Sequence, residues 1–183
     1  MIKRLRPLYT PAELAALYTA PHDHTLYGRG HEERVQATIK LGLKAKAQSI
    51  ADLSCGNAVI ANALRTVHDP ILGDFAPDYP IQGRIEDTIH DIRPVDLFIC
   101  SETLEHLDGP IACLQEIRGK ACKLLLSTPI DAYEDTNPEH YWAWSREDVE
   151  WMLSCAGFGI VDHVQIDSRV YGEPYCYGIW LAE

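Results

Sequence analysis

The chain has 183 residues, 46% of them hydrophobic, and a formal net charge of −11 at pH 7. That is the length of one domain with a sizeable core, and no apolar run is long enough to span a bilayer. The acidic balance argues against broad binding of long polyanions, which needs Lys and Arg to neutralise phosphates, although half of the 16 basic residues fall in positions 1–48.

The N-terminus, MIKRLRPLYT, is basic and lacks the apolar core of a signal peptide. The six cysteines (Cys55, Cys100, Cys113, Cys122, Cys155 and Cys176) have no CxxC or zinc-type spacing. They read as free thiols in a reducing compartment, which predicts a cytoplasmic protein. Thr10-Pro11-Ala12-Glu13 predicts a capping box with Pro at the first helical position, opening a short helix through Leu14, Leu17 and Tyr18. Pro21 and Asp23-His24-Thr25 end it, and Tyr27 to His31 reads as a loop. A second helix is predicted from about Glu32 to Lys46, with Val35, Ile39 and Leu43 on one face. These helices form an N-terminal cap (1–48) on a core (49–183) within a single domain.

Ser49 to Ala58 predicts a buried strand, a tight turn at Gly56, and a helix from Val59 to Val67. Pro70-Ile71-Leu72-Gly73-Asp74 is a short apolar run ending in a carboxylate. The link that follows, to Gly83, is too short and Pro-rich for a helix. Val95 to Ser101 and Lys123 to Thr128 read as further buried strands. Ser145-Arg146-Glu147-Asp148 caps a helix that buries Val149, Met152 and Leu153 and stops at Gly157. Residues 159–166 and 175–181 alternate as two last strands. Alternating strands and helices predict an α/β sheet, with ligands at the carboxyl ends of its strands.

The turn at Gly56 decides which ligand. A dinucleotide loop needs three glycines for backbone to approach a pyrophosphate; here Ser54 and Ala58 stand where the others would help, and no Lys-bearing phosphate loop is present. Asp52-Leu53-Ser54-Cys55-Gly56-Asn57-Ala58 resembles instead the first motif of class I S-adenosylmethionine-dependent methyltransferases. The order of later motifs agrees: Asp74, Gly83-Arg84-Ile85-Glu86-Asp87, the fourth-strand run VDLFICSETLEHL, and Lys123 to Pro129. The resemblance implies a Rossmann-like methyltransferase fold. Its mostly parallel seven-stranded sheet has an antiparallel last strand; the Pro-rich link after Asp74 lacks the helix that normally joins strands two and three, so this chain reads as a trimmed version of that fold. The resemblance implies S-adenosylmethionine as cofactor, with the turn Ser54-Cys55-Gly56 at its methionyl end and Asp52 fixing the amino group. Asp74 takes the ribose hydroxyls, Glu86 or Asp87 meets the adenine amino group, and Ser101 and Glu102 lie at the end of the fourth strand beside the cofactor.

The acceptor side falls after strands four and five. Glu102, Glu105 and His106 form E-x-x-E-H, expected at a helix start with all three on one face. A second loop holds Asn137-Pro138-Glu139-His140-Tyr141-Trp142-Ala143-Trp144. The first pattern resembles ubiquinone-biosynthesis O-methyltransferases. Both patterns together resemble small-RNA 3′-terminal 2′-O-methyltransferases, in which two Glu and two His hold a divalent metal. That resemblance maps Mg²⁺ or Mn²⁺ onto Glu102, Glu105, His106 and His140. Without a metal, His106 and His140 are candidate general bases, since an unperturbed imidazole titrates near neutral pH. Tyr141, Trp142 and Trp144 either wall the acceptor pocket or pack their loop on the sheet. His22, His24, His68, His90 and His163 read as surface or loop positions, and His31 as the one able to approach the cofactor from the cap. The first expectation is O-methylation of a hydroxylated small molecule. The alternatives are metal-assisted 2′-O-methylation of an RNA end and a non-catalytic S-adenosylmethionine-binding protein.

Overall fold

The computed structural model of the protein describes residues 1–21, 23 and 28–183; His22, His24, Thr25, Leu26 and Tyr27 lie outside the described residues. Its strands are β1 (Lys3–Arg4), β2 (Ile50–Asp52), β3 (Ile71–Asp74), β4 (Ile81–Gln82), β5 (Val95–Ser101), β6 (Ala121–Ile130), β7 (Trp142–Ala143), β8 (Ile160–Asp167) and β9 (Cys176–Ala182). Its helices are α1 (Pro11–Leu17), α2 (Arg29–Gly42), α3 (Val59–Ala63), α4 (Ile85–Thr88), α5 (Pro110–Lys120) and α6 (Arg146–Cys155). Seven strands form one sheet in the order β4-β3-β2-β5-β6-β9-β8. Its first five members run parallel, and β9 lies antiparallel to both β6 and β8. A separate antiparallel pair joins β1 to β7. Among the described residues no helix is long and apolar enough to cross a membrane.

Period-two alternation builds the two cores. In β5, Phe98 and Cys100 face one side while Leu97 and Ile99 face the other. In β6, Leu124 and Leu126 oppose Leu125, and in β9 Trp180 opposes Ile179. The first face packs against Leu114 and Ile117 of α5 and Val149, Met152 and Leu153 of α6. The second packs against Val35 and Leu41 of α2 and Ile60 of α3. Apolar on both faces, the central strands read as continuous hydrophobic runs because helices cover both sides.

Some features meet the sequence expectation and several boundaries depart from it. No helix separates β3 from β4, as the Pro-rich link requires. Helix α2 begins three residues early, because the Glu173 carboxylate accepts the Gly30 and His31 amides at 2.8 and 3.1 Å and caps it from a distant loop. Gly30 permits this approach: a Cβ there would lie 2.7 Å from Glu173 Oε2 and 2.9 Å from Ser168 Cα. At its other end α2 tightens into a 3₁₀ turn, Leu43–Ala45, which leaves Leu43 60% exposed rather than on the buried face. Helix α3 stops at Ala63, short of the expected Val67, and Val67 is exposed. Both capping boxes form, on Thr10 and on Ser145.

Candidate functional site

A cavity of about 480 Å³ opens at the carboxyl ends of β2, β3 and β5, where the strand order reverses. Its first wall is the β2–α3 turn, through Leu53, Ser54 and Gly56. Gly56 has φ 52°, the left-handed region that favours glycine, and Ala58 follows at φ 57°. Asp74 ties this turn to β3: its Oδ2 accepts the Gly56 amide at 2.8 Å and its Oδ1 accepts the Ala76 amide at 2.9 Å. The Tyr79 hydroxyl donates to the Gly56 carbonyl from the link that replaces a helix. Phe75, Arg84 and Glu86 complete this end.

The structure divides the expected cofactor residues. Ser54, Gly56, Asp74, Glu86, Ser101 and Glu102 line the cavity. Asp87 is exposed on α4, outside the cavity wall, so of the two acidic residues in that loop Glu86 is the one at the site. Asp52 and Cys55 also stand outside the wall, 3% and 4% exposed. Burial pushes the Cys55 thiol up to about 12, which makes it a packing residue. Burial, with Asp74 nearby, pushes the Asp52 carboxyl up to about 7 from an ordinary 3.8, against the Ser54 amide bond that favours its charge.

A folded-state value above the unfolded one means that the native protein binds the extra proton and loses stability as pH rises from about 4 to 7. Asp52→Asn keeps an acceptor for Ser54. It is expected to raise the melting temperature at pH 8, by at most about 4 kcal/mol of stability, and to leave it unchanged near pH 4. Thermal melts of both proteins across that range check it, and a gain independent of pH would contradict it.

The opposite end carries the polar cluster. Glu102, Glu105 and His106 do not share a helical face. Glu102 sits at φ 52° just past β5, Leu104–His106 is a 3₁₀ turn, and α5 starts only at Pro110. A left-handed non-glycine residue is uncommon and turns the two glutamates apart. The Glu102 carboxylate accepts from Ser127 Oγ at 2.8 Å and lies 3.7 Å from the guanidinium of Arg34. Glu105 is 2% exposed; its Oε2 accepts from the Thr128 hydroxyl at 2.9 Å, while Oε1 has no hydrogen-bond partner and lies 3.9 Å from His106 Nε2. Glu105, His106 and His140 each offer a ligand atom within 4.8 Å of the others, so three of the four expected metal ligands converge and Glu102 is not among them.

His140 is held by a carboxylate. Its Nδ1 lies 2.6 Å from Asp135 Oδ2, and its Nε2 lies 3.1 Å from the Asn137 amide nitrogen. With Asn137 donating, this is the tautomer protonated at Nδ1, its other nitrogen carrying the lone pair. Burial alone would lower the imidazole; the Asp135 bond and the charge of Glu105 outweigh it and raise the ring above its ordinary value. His106 Nδ1 bonds the Tyr18 hydroxyl at 3.2 Å, which brings the end of α1 onto the site.

Tyr141 and Trp144 are buried in the fold, and Trp142 donates its indole N–H to the Leu107 carbonyl; none of the three lines the cavity. Of the two readings for these rings, packing holds. The aromatic lining comes from Tyr18, Phe75, Tyr175 and Tyr177 instead. His31 reaches the wall from α2, 7% exposed, whereas His163 is half-buried against Trp180. Arg34, fully buried, bonds Ser101 and Ser127 at 2.7 and 3.1 Å and contacts His31 Nε2 at 3.1 Å. Sequence reasoning missed it, although His31, Arg34 and Thr38 recur at helical spacing as a polar stripe beside the apolar one. Asp135 and Glu173 left no such signal.

No protein-family model matches the chain, and no curated protein matches it in sequence. Solved structures do. The 1,6-didemethyltoxoflavin-N1-methyltransferase of Burkholderia thailandensis, bound to 1,6-didemethyltoxoflavin and S-adenosylhomocysteine, superposes with a TM-score of 0.66 at 15% identity, over 99% of this chain and 93% of that one. The magnesium protoporphyrin IX methyltransferase of Synechocystis, with bound S-adenosylhomocysteine, gives 0.66 at 16% identity over 84% and 82%. SpnF, a 4+2 cyclase, gives 0.64 at 10% identity over 93% and 89%. Identities this low speak to architecture, and the sheet order and the switch-point cavity agree with it, while the β3–β4 link without a helix is a feature of this chain. The fold of this chain is that of the class I S-adenosylmethionine-dependent methyltransferases.

Proposed function

We propose that the protein is a methyltransferase that uses S-adenosylmethionine to methylate a hydroxyl group on a small molecule. The observation that carries this reading is the pairing, within one cavity, of the Gly56 turn tied to Asp74 with the His106–His140 pair at the other end, against which the buried Glu105 carboxyl lies. The first end fits the cofactor. It presents no phosphate cradle, and Asp74 retains lone pairs beyond the two spent on amides, which suits a vicinal diol. Glu86, which lines the cavity where Asp87 does not, is the residue this reading assigns to the adenine amino group. When bound, S-adenosylmethionine supplies an electrophilic methyl; the chain supplies alignment of the acceptor against it. His140, oriented by Asp135, would take the acceptor's proton on Nε2 once the acceptor hydroxyl replaces the Asn137 amide that this nitrogen now accepts from.

A second reading rests on Glu105 Oε1, a buried acceptor without a hydrogen-bond partner among three converging ligand atoms. Two imidazoles and one carboxylate suit Mn²⁺ better than Mg²⁺, which prefers oxygen. A divalent cation held there by Glu105, His106 and His140 would favour deprotonation of a hydroxyl, on a small molecule or on an RNA end. Calorimetric titration of metal-stripped protein with S-adenosylmethionine, then with Mn²⁺, tests both. Micromolar cofactor binding supports the first reading, and a Mn²⁺ heat abolished by His140→Ala adds the second. Absence of cofactor binding overturns the assignment. Binding without turnover on any hydroxylated acceptor would favour a non-catalytic role, a live distinction for a fold shared with a cyclase.

A further inference from the structure

We propose that Arg34 is a positioning residue for the cofactor: it fixes the Glu102 carboxylate with one oxygen open to the cavity, where that oxygen receives the ammonium of the cofactor's methionyl group. The inference deepens the methyltransferase reading of the cavity and rests on it.

Arg34 is fully buried on α2 and stands outside the cavity wall, yet most of what it touches lines that wall. One terminal nitrogen donates to Ser101 Oγ at 2.7 Å and Ser127 Oγ at 3.1 Å, and lies 3.7 Å from Glu102 Oε1. The other lies 3.1 Å from His31 Nε2, and the guanidinium carbon sits 5.6 Å from the centre of the Tyr177 ring. Ser101, Glu102, His31 and Tyr177 all line the cavity. The third nitrogen, Nε, has no hydrogen-bond partner among the described residues. A guanidinium buried with a donor unsatisfied costs the fold, and an apolar side chain of similar volume often packs as well or better. What this one supplies is the placement of its neighbours. Its burial also keeps it from meeting a ligand carboxylate itself.

Glu102 is held by backbone and side chain together. It sits at φ 52°, its amide donates to the Ser127 carbonyl at 2.8 Å, and its Oε1 accepts from Ser127 Oγ at 2.8 Å and faces Arg34. A left-handed glutamate is uncommon and persists where its surroundings over-determine it. Among the described residues no hydrogen bond reaches Oε2. The other carboxylates of the wall are engaged. Asp74 and Glu173 each give both oxygens to backbone amides, Glu86 pairs with Arg84, and Glu139 bonds Tyr18. Asp52, expected to fix the amino group, is buried outside the wall. Glu102 stands where that role is left open: Ser54 Oγ lies 2.7 Å from Thr103 Oγ1, which ties the cofactor turn to the residue after Glu102. Hydrogen bonds between ionised groups are short and strong, so an ammonium is the donor such an oxygen selects.

The test is calorimetry on the full chain with three ligands: S-adenosylhomocysteine, its deamino analogue and its decarboxylated analogue. Wild type is expected to bind the deamino analogue about ten-fold or more weakly than S-adenosylhomocysteine. Glu102→Gln is expected to close that gap to about three-fold or less, and Arg34→Met to close it as far. The double variant should lose nothing further, because the two residues act as one unit. The decarboxylated analogue keeps the ammonium, so its affinity should fall with that of S-adenosylhomocysteine in each variant. A merely structural role for Arg34 would lower all three affinities together and leave their ratios alone. Thermal melts verify folding. Arg34→Lys keeps the charge without the planar fork, is expected to narrow the gap by about three-fold, and decides the matter if Arg34→Met does not fold. A wild type without the gap overturns the inference, as does the full gap persisting in Glu102→Gln or in a folded Arg34 variant. An Arg34 variant that instead loses its preference for the ligand's carboxylate overturns it too. Failure of S-adenosylhomocysteine itself to bind wild type is a different result and overturns the methyltransferase reading.

Discussion

Asp74→Ala is expected to weaken binding of S-adenosylhomocysteine by about 100-fold or more while the protein stays folded. Two losses add. The carboxylate would accept two ribose hydroxyls, and hydrogen bonds to a charged group contribute about 1.5–3 kcal/mol each. It also holds the Gly56 amide and the Ala76 amide in place, at 2.8 and 2.9 Å, so the alanine variant loosens the turn that forms the cavity's first wall. Asp74→Asn separates the two effects. The amide keeps one acceptor oxygen and gains a donor, so it can hold one of those amides but not accept a full diol. Its affinity is expected to fall between wild type and alanine. Calorimetry gives the affinities, and a thermal melt shows whether the turn's loosening spreads. Unchanged affinity in both variants would remove Asp74 from the site and with it the strongest anchor for the cofactor reading.

The architecture was legible in the sequence because the signals that build it are local. The strand at Ser49–Asp52, the single-glycine turn, the capping boxes at Thr10 and Ser145 and the Pro-rich link after Asp74 each depend on residues a few positions apart. Boundaries set by distant groups were not legible. The start of α2 depends on Glu173, 143 residues from Gly30, and nothing in Arg29 to Glu32 announces it. The site divided the same way. Asp74, Gly56 and Glu86 follow from strand ends and turns. The relation of Glu102 to Glu105 did not, because a left-handed backbone at Glu102 replaces the helix that the spacing suggests. Aromatic residues misled for a related reason. Tyr141 and Trp144 sit in the motif-bearing loop but are consumed by the core, whereas Tyr175 and Tyr177, at the start of an ordinary-looking last strand, face the cavity. A one-dimensional pattern says that a ring is needed and leaves its direction to packing.

Glu105→Gln is expected to raise stability and to abolish most of the activity, and the opposition of the two effects is what identifies the residue. A carboxyl 2% exposed, with one oxygen bonded to Thr128 and the other without a hydrogen-bond partner, is a cost to the fold. Burial, and then the charge of Glu102, push it above the ordinary 4.5, against the pull of His140 and Thr128. The native state therefore binds the extra proton, and this residue removes stability as pH rises above about 4.5. Glutamine has the same shape, keeps an oxygen for Thr128, and turns an N–H toward the imidazoles. The expected gain is about 1–3 kcal/mol, or about 2–10 °C in melting temperature, larger at pH 8 than at pH 5. Methyl transfer to an accepted substrate should fall by about 100-fold or more, since the carboxyl that lies 3.9 Å from His106 and acts on the His140 ring can no longer exchange a proton. S-adenosylhomocysteine affinity should change little, because Glu105 does not line the cavity and lies against His106 and His140 rather than the Asp74 turn. A residue kept only for packing would behave in the other direction, with stability falling and activity following it. Strain of this kind persists where function requires it, so a variant both more stable and equally active would show that the cluster is not the reacting centre.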